Sequence, residues 1–176
     1  KTITHIVNSG NITVSGSVDG ETIISGIANS ISGAITDVLN SGKISTTATH
    51  TGALQVAGIV ASSFTGLNML RVNNSGDLDI NSDIQNALRV AGFWPSNNNT
   101  ANYVTFTDCH NSGYINVVGT TTTTANNVSH TGGFMGYTNK PVTLDGCSNS
   151  GKVVNGVEKG IYVKRNCNAG YFCVGG

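Results

Sequence analysis

The chain has 176 residues, and nine Lys plus Arg balance nine Asp plus Glu, so its formal net charge is zero. That size excludes a large multidomain enzyme, and the neutral balance removes the basic field that would gather nucleic acid or anionic lipid. Charged residues make up 10% of the chain, against about 25% in ordinary soluble domains, and Asn, Ser, Thr and 23 Gly stand in their place.

The first predicted element is a strand carrying Ile3 and Ile6, which ends at the turn Asn8-Ser9-Gly10. A second strand follows with Ile12 and Val14, then a polar stretch, then a third strand around Gly26-Ile27. This unit recurs down the chain. The tripeptide returns at Asn40-Ser41-Gly42, Asn74-Ser75-Gly76, Asn111-Ser112-Gly113 and Asn149-Ser150-Gly151, in steps of 32, 34, 37 and 38 residues. The Gly-apolar pair returns at Gly58-Ile59, Gly92-Phe93, Gly133-Phe134 and Gly160-Ile161, and the five pairs follow their Asn by 18, 18, 18, 22 and 11 residues.

Aligned on the Asn, the position five before is apolar throughout (Ile3, Ile35, Met69, Phe106, Leu144), as is the position two before (Ile6, Val38, Val72, Cys109, Cys147). Four after the Asn comes a third apolar column of Ile12, Ile44, Leu78, Ile115 and Val153; six after comes Val14, Thr46, Ile80, Val117 and Asn155. Apolar and polar residues alternate here, as in Asp77-Leu78-Asp79-Ile80, which is the period of a strand with one buried face. One unit cannot bury its own apolar face, but stacked units close a continuous core. The expected fold is therefore all-β, a parallel β-solenoid of about five coils over residues 1–162, with a Cys-containing tail or cap over 163–176.

Within it, Gly10, Gly42, Gly76, Gly113 and Gly151 are expected to serve corners that need positive φ. Asn8, Asn40, Asn74, Asn111 and Asn149 are expected to stack their amides and bond the turn backbone. The column three before the Asn (His5, Asp37, Arg71, Asp108) reads as outward, with opposite charges meeting between coils. Ser82 to Val90 has an N-cap-like start and Ile84 and Leu88 one helical turn apart, a competing local helical reading.

The pattern Asn-Ser-Gly-x-apolar, then Gly-apolar, then a strand ending in Cys-x-Asn-Ser-Gly resembles the Gly-rich, GLUG-like solenoid repeats of large surface proteins of bacteria and protists. The resemblance runs from Lys1 to about Tyr162. The tail Cys167-Asn168-Ala169-Gly170-Tyr171-Phe172-Cys173 resembles the opening of the Cys-rich, ephrin-receptor-like modules of secreted and surface proteins, without their later cysteines. Families of this kind are extracellular, adhesive or filament-forming, and no catalytic residues carry over from them. The resemblance therefore implies a location outside the cell or on its surface.

The remaining candidates are few. Cys109 and Cys147 share one inward column, either as small buried hydrophobes or as a disulfide between adjacent coils. Cys167 and Cys173 lack the spacing of zinc or redox sites, which favours a disulfide closing the C-terminus. Asp77, Asp79, Asn81 and Asp83 resemble the start of a calcium loop, but Ser82 and Leu88 stand where its Gly and Glu belong, so a solvated strand face with Lys43 against Asp77 is expected. No metal, cofactor or catalytic group is expected. His50 and His130 fall in different phases of the repeat. The Thr-rich runs at Thr46 to Thr49 and Thr120 to Thr124 read as solvated loops or O-glycan sites. Sequons at Asn11, Asn73, Asn98 and Asn127 permit N-glycosylation.

Lys1 opens the chain with no initiator Met and no signal-like run, which reads as a processed chain or fragment. The first strand starts directly at Ile3, with no capping helix ahead of it, so the first coil presents an edge that another chain could extend. The reading is a non-catalytic extracellular structural protein, a subunit of a surface filament or appendage whose partners are further copies, joined end to end into a homopolymer, or neighbouring domains of a longer chain. The alternative is a carbohydrate-binding or carbohydrate-cleaving surface β-helix adhesin, with Trp94, Tyr103, Tyr114 and Tyr137 available to meet glycans.

Overall fold

The structure is a computed structural model, and it describes residues 2–63, 66–97, 103–119, 129–138, 140–165 and 172–175. The first pass round the molecule lays down β1 (Thr2–Asn8), β2 (Ile12–Val14), β3 (Ser17–Val18), β4 (Thr22–Ser25) and β5 (Ala28–Ser30). The second adds β6 (Gly33–Asn40), β7 (Ile44–Thr46), β8 (Thr49–His50), β9 (Leu54–Ala57) and β10 (Val60–Ser62). The third adds β11 (Leu67–Asn74), β12 (Leu78–Asn81), β13 (Leu88–Ala91) and β14 (Trp94–Asn97). A fourth holds β15 (Val104–Thr107), β16 (His110–Asn111), β17 (Ile115–Gly119), β18 (Ser129–Gly132) and β19 (Met135–Thr138). The last comprises β20 (Val142–Asp145), β21 (Ser148–Asn149), β22 (Lys152–Val154), β23 (Val157–Lys159), β24 (Ile161–Arg165) and β25 (Phe172–Gly175).

Like strands stack on like. One parallel ladder runs β1-β6-β11-β15-β20, a second β2-β7-β12-β17-β24 and a third β4-β9-β13-β18-β25. The fold is thus the expected parallel β-solenoid, and the registers are those of the sequence columns: Ile3 pairs with Ile35, Val72 with Val38, and Leu78 with both Ile44 and Ile115. Five stacked Asn positions enclose about four turns, one fewer than the five coils expected, because five repeats make four steps from Asn8 to Asn149.

The fifth pass corrects the column assignment as well. Ile161 and Val163, not Val153 and Asn155, pair with Ile115 and Val117. Between Asn149 and Ile161 the chain detours through β22 and β23, an antiparallel pair joined at Asn155 (φ 50°) and Gly156 (φ 75°). Two successive positive-φ residues are what a tight I′-type hairpin requires, and Asn-Gly supplies them at least steric cost. Gly160-Ile161 therefore does not belong to the Gly-apolar column. Parallel pairing also continues beyond Tyr162, since β24 stacks on β17 and β25 on β18.

The helical reading of Ser82 to Val90 gives way to strand: Ile84 bridges to His50, and Leu88, Arg89 and Val90 lie in β13. Ile84, Leu88 and Val90 all reach the core, and stacked neighbours on both sides outweigh a short, weakly capped helix.

The core has two lobes. One gathers Ile35, Val38, Met69, Val72 and Phe106 with Ile59, Phe93 and Phe134; Phe93 stacks on Phe134 at 4.8 Å and Phe106 meets both edge-on. The other gathers Ile44, Leu78, Ile80 and Ile115 with Leu54, Val56, Leu88 and Val90. The Asn column lies in sequence between a residue of the first lobe two before it and a residue of the second four after it. The Gly26, Gly58, Gly92 and Gly133 column likewise lies where the returning chain crosses from the second lobe to the first. These two columns meet at the waist.

Candidate assembly site

The waist is built by contact. A Cβ on Gly58 would lie 2.4 Å from Asn74 Oδ1 and 2.4 Å from the Gly92 carbonyl, and Gly26, Gly92 and Gly133 are equally closed by Asn40, Asn111 and Asn149. Only a residue without a side chain lets the Asn amides enter the interior. There they form a continuous ladder: Asn8 Nδ2 donates to Asn40 Oδ1 (2.8 Å), Asn40 to Asn74 (2.9 Å), Asn74 to Asn111 (2.8 Å) and Asn111 to Asn149 (2.7 Å). The same Nδ2 groups also donate to the carbonyls of Gly10, Gly42 and Gly76. Asn40, Asn74 and Asn111 are essentially fully buried, so each amide satisfies its neighbours where water cannot.

The glycine after each Ser has a different role from the one expected. Among the described residues Gly151 has a positive φ (64°), whereas Gly42, Gly76 and Gly113 are needed because a Cβ would meet the preceding glycine's carbonyl oxygen at 2.1 Å. The positive φ sits instead in the charged column three before the Asn: His5 (56°), Asp37 (55°), Arg71 (52°), Asp108 (50°) and, in the last pass, Gly146 (62°). A left-handed residue breaks the alternation of a strand. That is how residues five before and two before the Asn, an odd spacing, both face the core.

The left-handed column points its side chains outward and pairs them. Arg71 donates from Nε and Nη2 to the two oxygens of Asp37 (2.6 and 2.9 Å), and His5 Nε2 lies 3.7 Å from Asp37 Oδ2. The Arg71 guanidinium holds the Asp37 carboxyl below the usual carboxylate range. On the next face, Lys43 bonds Asp79 (2.6 Å) and not the expected Asp77, which accepts from Lys152 and from the Tyr114 backbone N–H. Asn116 Nδ2 donates to Asp79 as well (2.9 Å). Two of the four calcium-loop candidates are therefore committed to lysines. Among the described residues, no three His, Cys, Asp or Glu side chains come together as a metal site.

Cys109 and Cys147 are free thiols, not a bridge. Each donates to backbone carbonyls, Cys109 to Met69 and Thr107, Cys147 to Phe106 and Asp145. Burial pushes the Cys109 thiol up to about 11. Cys167 lies outside the described residues; the Cys173 backbone pairs with His130 in the third ladder.

Of the sequons, Asn98 and Asn127 lie outside the described residues. Asn11 is exposed and its Oδ1 accepts from the Lys43 N–H (2.8 Å); Asn73 is half-buried in β11. Thr120 to Thr124 also lie outside the described residues. Thr46 is no solvated loop residue: it is buried and bonds Ser82 Oγ and His50 Nε2. Trp94 is buried in the first lobe, which removes it as a sugar platform, and Tyr137 stacks on His130 at 4.8 Å. Tyr103 and Tyr162 are exposed.

Sequence reasoning named the open edge at Ile3 but not the inward-column side chains that the two ends leave uncovered. Ile6 and Leu144 belong to inward columns whose middle members are fully buried, yet they are 41% and 48% exposed. An open depression of about 580 Å³ lies at the head, bounded by Thr2, Ile3, Ser30, Ile31 and Ser32. The signal was in the columns, because the first and last members of a stack have a neighbour on one side only. In comparisons with known proteins, no family model matches the chain, and neither a curated protein nor a solved structure matches it.

Proposed function

We propose that this chain is a non-catalytic structural module of the extracellular or cell-surface kind, a subunit of a filament or appendage built by end-to-end stacking of solenoids. The observation that carries the reading is the exposure of inward-column apolar side chains, Ile6 at the head and Leu144 at the tail, beside strand edges ready to pair. The weak charge supports it, since little repulsion opposes contact between copies. The surface-repeat resemblance and the exposed Asn11 sequon support the location.

Electron microscopy of the isolated protein, with sedimentation velocity on the same sample, tests the reading. Fibres of uniform width and a concentration-dependent increase in mass are expected. A monodisperse monomer at all concentrations would overturn it.

A further inference from the structure

We propose that the copies join head to tail, the end of one solenoid laying β20 and β21 on β1 of the next so that the Asn ladder runs unbroken through the joint. This rests on the end-to-end reading above and adds its polarity and its residue pairs. The ladder itself has a direction. Each Asn from Asn8 to Asn111 donates from Nδ2 to the Asn of the following coil, so Asn8 enters the ladder only as donor and Asn149 only as acceptor. The head therefore offers the second lone pair of Asn8 Oδ1, whose first accepts from the Gly10 N–H (3.1 Å), and the tail the Nδ2 of Asn149. Two heads would set acceptor against acceptor, and two tails donor against donor.

The other columns agree. Stepping the observed registers once more places Leu144 over Ile3, Asp145 over Thr4, Cys147 over Ile6 and Asn149 over Asn8. Leu144 then covers the wall of the head depression formed by Ile3. The left-handed Gly146 meets the left-handed His5, so the two kinks nest. Hydrogen-bonding groups are complementary as well. The left-handed column ends at the tail with the carboxylate of Asp108, whose Oδ1 lies 2.4 Å from where a Cβ of Gly146 would be, and begins at the head with the imidazole of His5.

Among the described residues the contacts of the hairpin run back along the flank, Lys152 to Asp77 and Lys159 over the Tyr114 ring at 5.3 Å, and no further strand pairs on the outer side of β20, β21 or β24. A heterologous joint of this sort, in which strands stay parallel, repeats without closing and yields a filament.

Charge placed at one end at a time tests the polarity. Leu144→Lys blocks the tail and Ile6→Lys blocks the head; far-UV circular dichroism checks that each remains β-folded. Head-to-tail joining predicts that each variant alone sediments as a monomer, and that an equimolar mixture gives a species of twice the subunit mass and nothing larger. A closed dimer formed by either variant alone would overturn the polarity while leaving end-to-end assembly standing. A wild-type chain that never assembles would overturn both. Should a Lys variant fail to fold, Thr4→Cys and Asp145→Cys copies mixed with a short thiol cross-linker decide the matter. A peptide joining positions 4 and 145 of different copies is expected by mass spectrometry, and joining of position 4 to position 4 would refute the proposal.

Discussion

Asn74 is the residue on which the interior most depends, because it both donates and accepts within the buried ladder. Removing its amide in Asn74→Ala leaves a donor on Asn40 and an acceptor on Asn111 without partners, which costs about 2–4 kcal/mol. Asn8→Ala at the exposed end takes a ladder partner from Asn40 Oδ1 alone and costs about 1–2 kcal/mol by the same reasoning. Urea denaturation of the two variants checks the contrast. The buried histidines set a pH dependence. Burial lowers the His50 imidazole below the ordinary histidine range, and burial together with the Arg89 charge does so for His130. The native chain then binds fewer protons than the unfolded chain near the unfolded histidine value of about 6.5, so stability present above that value is lost as pH falls through it. The urea midpoint is expected to drop between about pH 7 and pH 5. His50→Gln, which keeps hydrogen-bonding groups beside Thr22 and Thr46, flattens part of that slope.

Among the elements, the β22–β23 hairpin shows how a local turn signal can displace a repeat. The repeat pattern carried Val153 forward into the column of Ile115, whereas Asn155-Gly156 dictates a reversal there and hands the column to Ile161. Replacing Asn155 and Gly156 by Ala forces two left-handed residues on side chains that resist them, at about 1–2 kcal/mol each. Hydrogen exchange should then quicken at Lys152 to Lys159 while the amides of β17, held by β12 and β24, keep their protection. An equal loss in both would show that the hairpin and the ladder open together. The long strands β6 and β11 make the complementary point. Asp37 and Arg71 accept left-handed backbone in mid-strand because their side chains form a bidentate pair outside and the parity they change places Val38 and Val72 inside.

For the whole molecule, a stack in which each coil touches only its neighbours has its stability distributed from the middle outward. Hydrogen exchange is expected to be slowest in β11, β12 and β13, which are covered on both sides, and fastest in β1 and β20. Protection that rises at β1 and β20 when protein concentration increases would mark the joint directly.

The repeat by itself determined the class of fold, the stacking register of the first four passes, and the Asn column as a ladder, because a parallel stack sets identical positions above one another and so writes its columns into the chain. Only the tertiary structure decided the rest. It placed Thr46 and Trp94 inside, gave the glycines their steric purpose and moved the positive φ to His5, Asp37, Arg71 and Asp108. It also split the core at the Asn waist. Each of these depends on which segment of another coil, distant in sequence, comes within a few ångströms, and periodicity along one chain does not carry that distance.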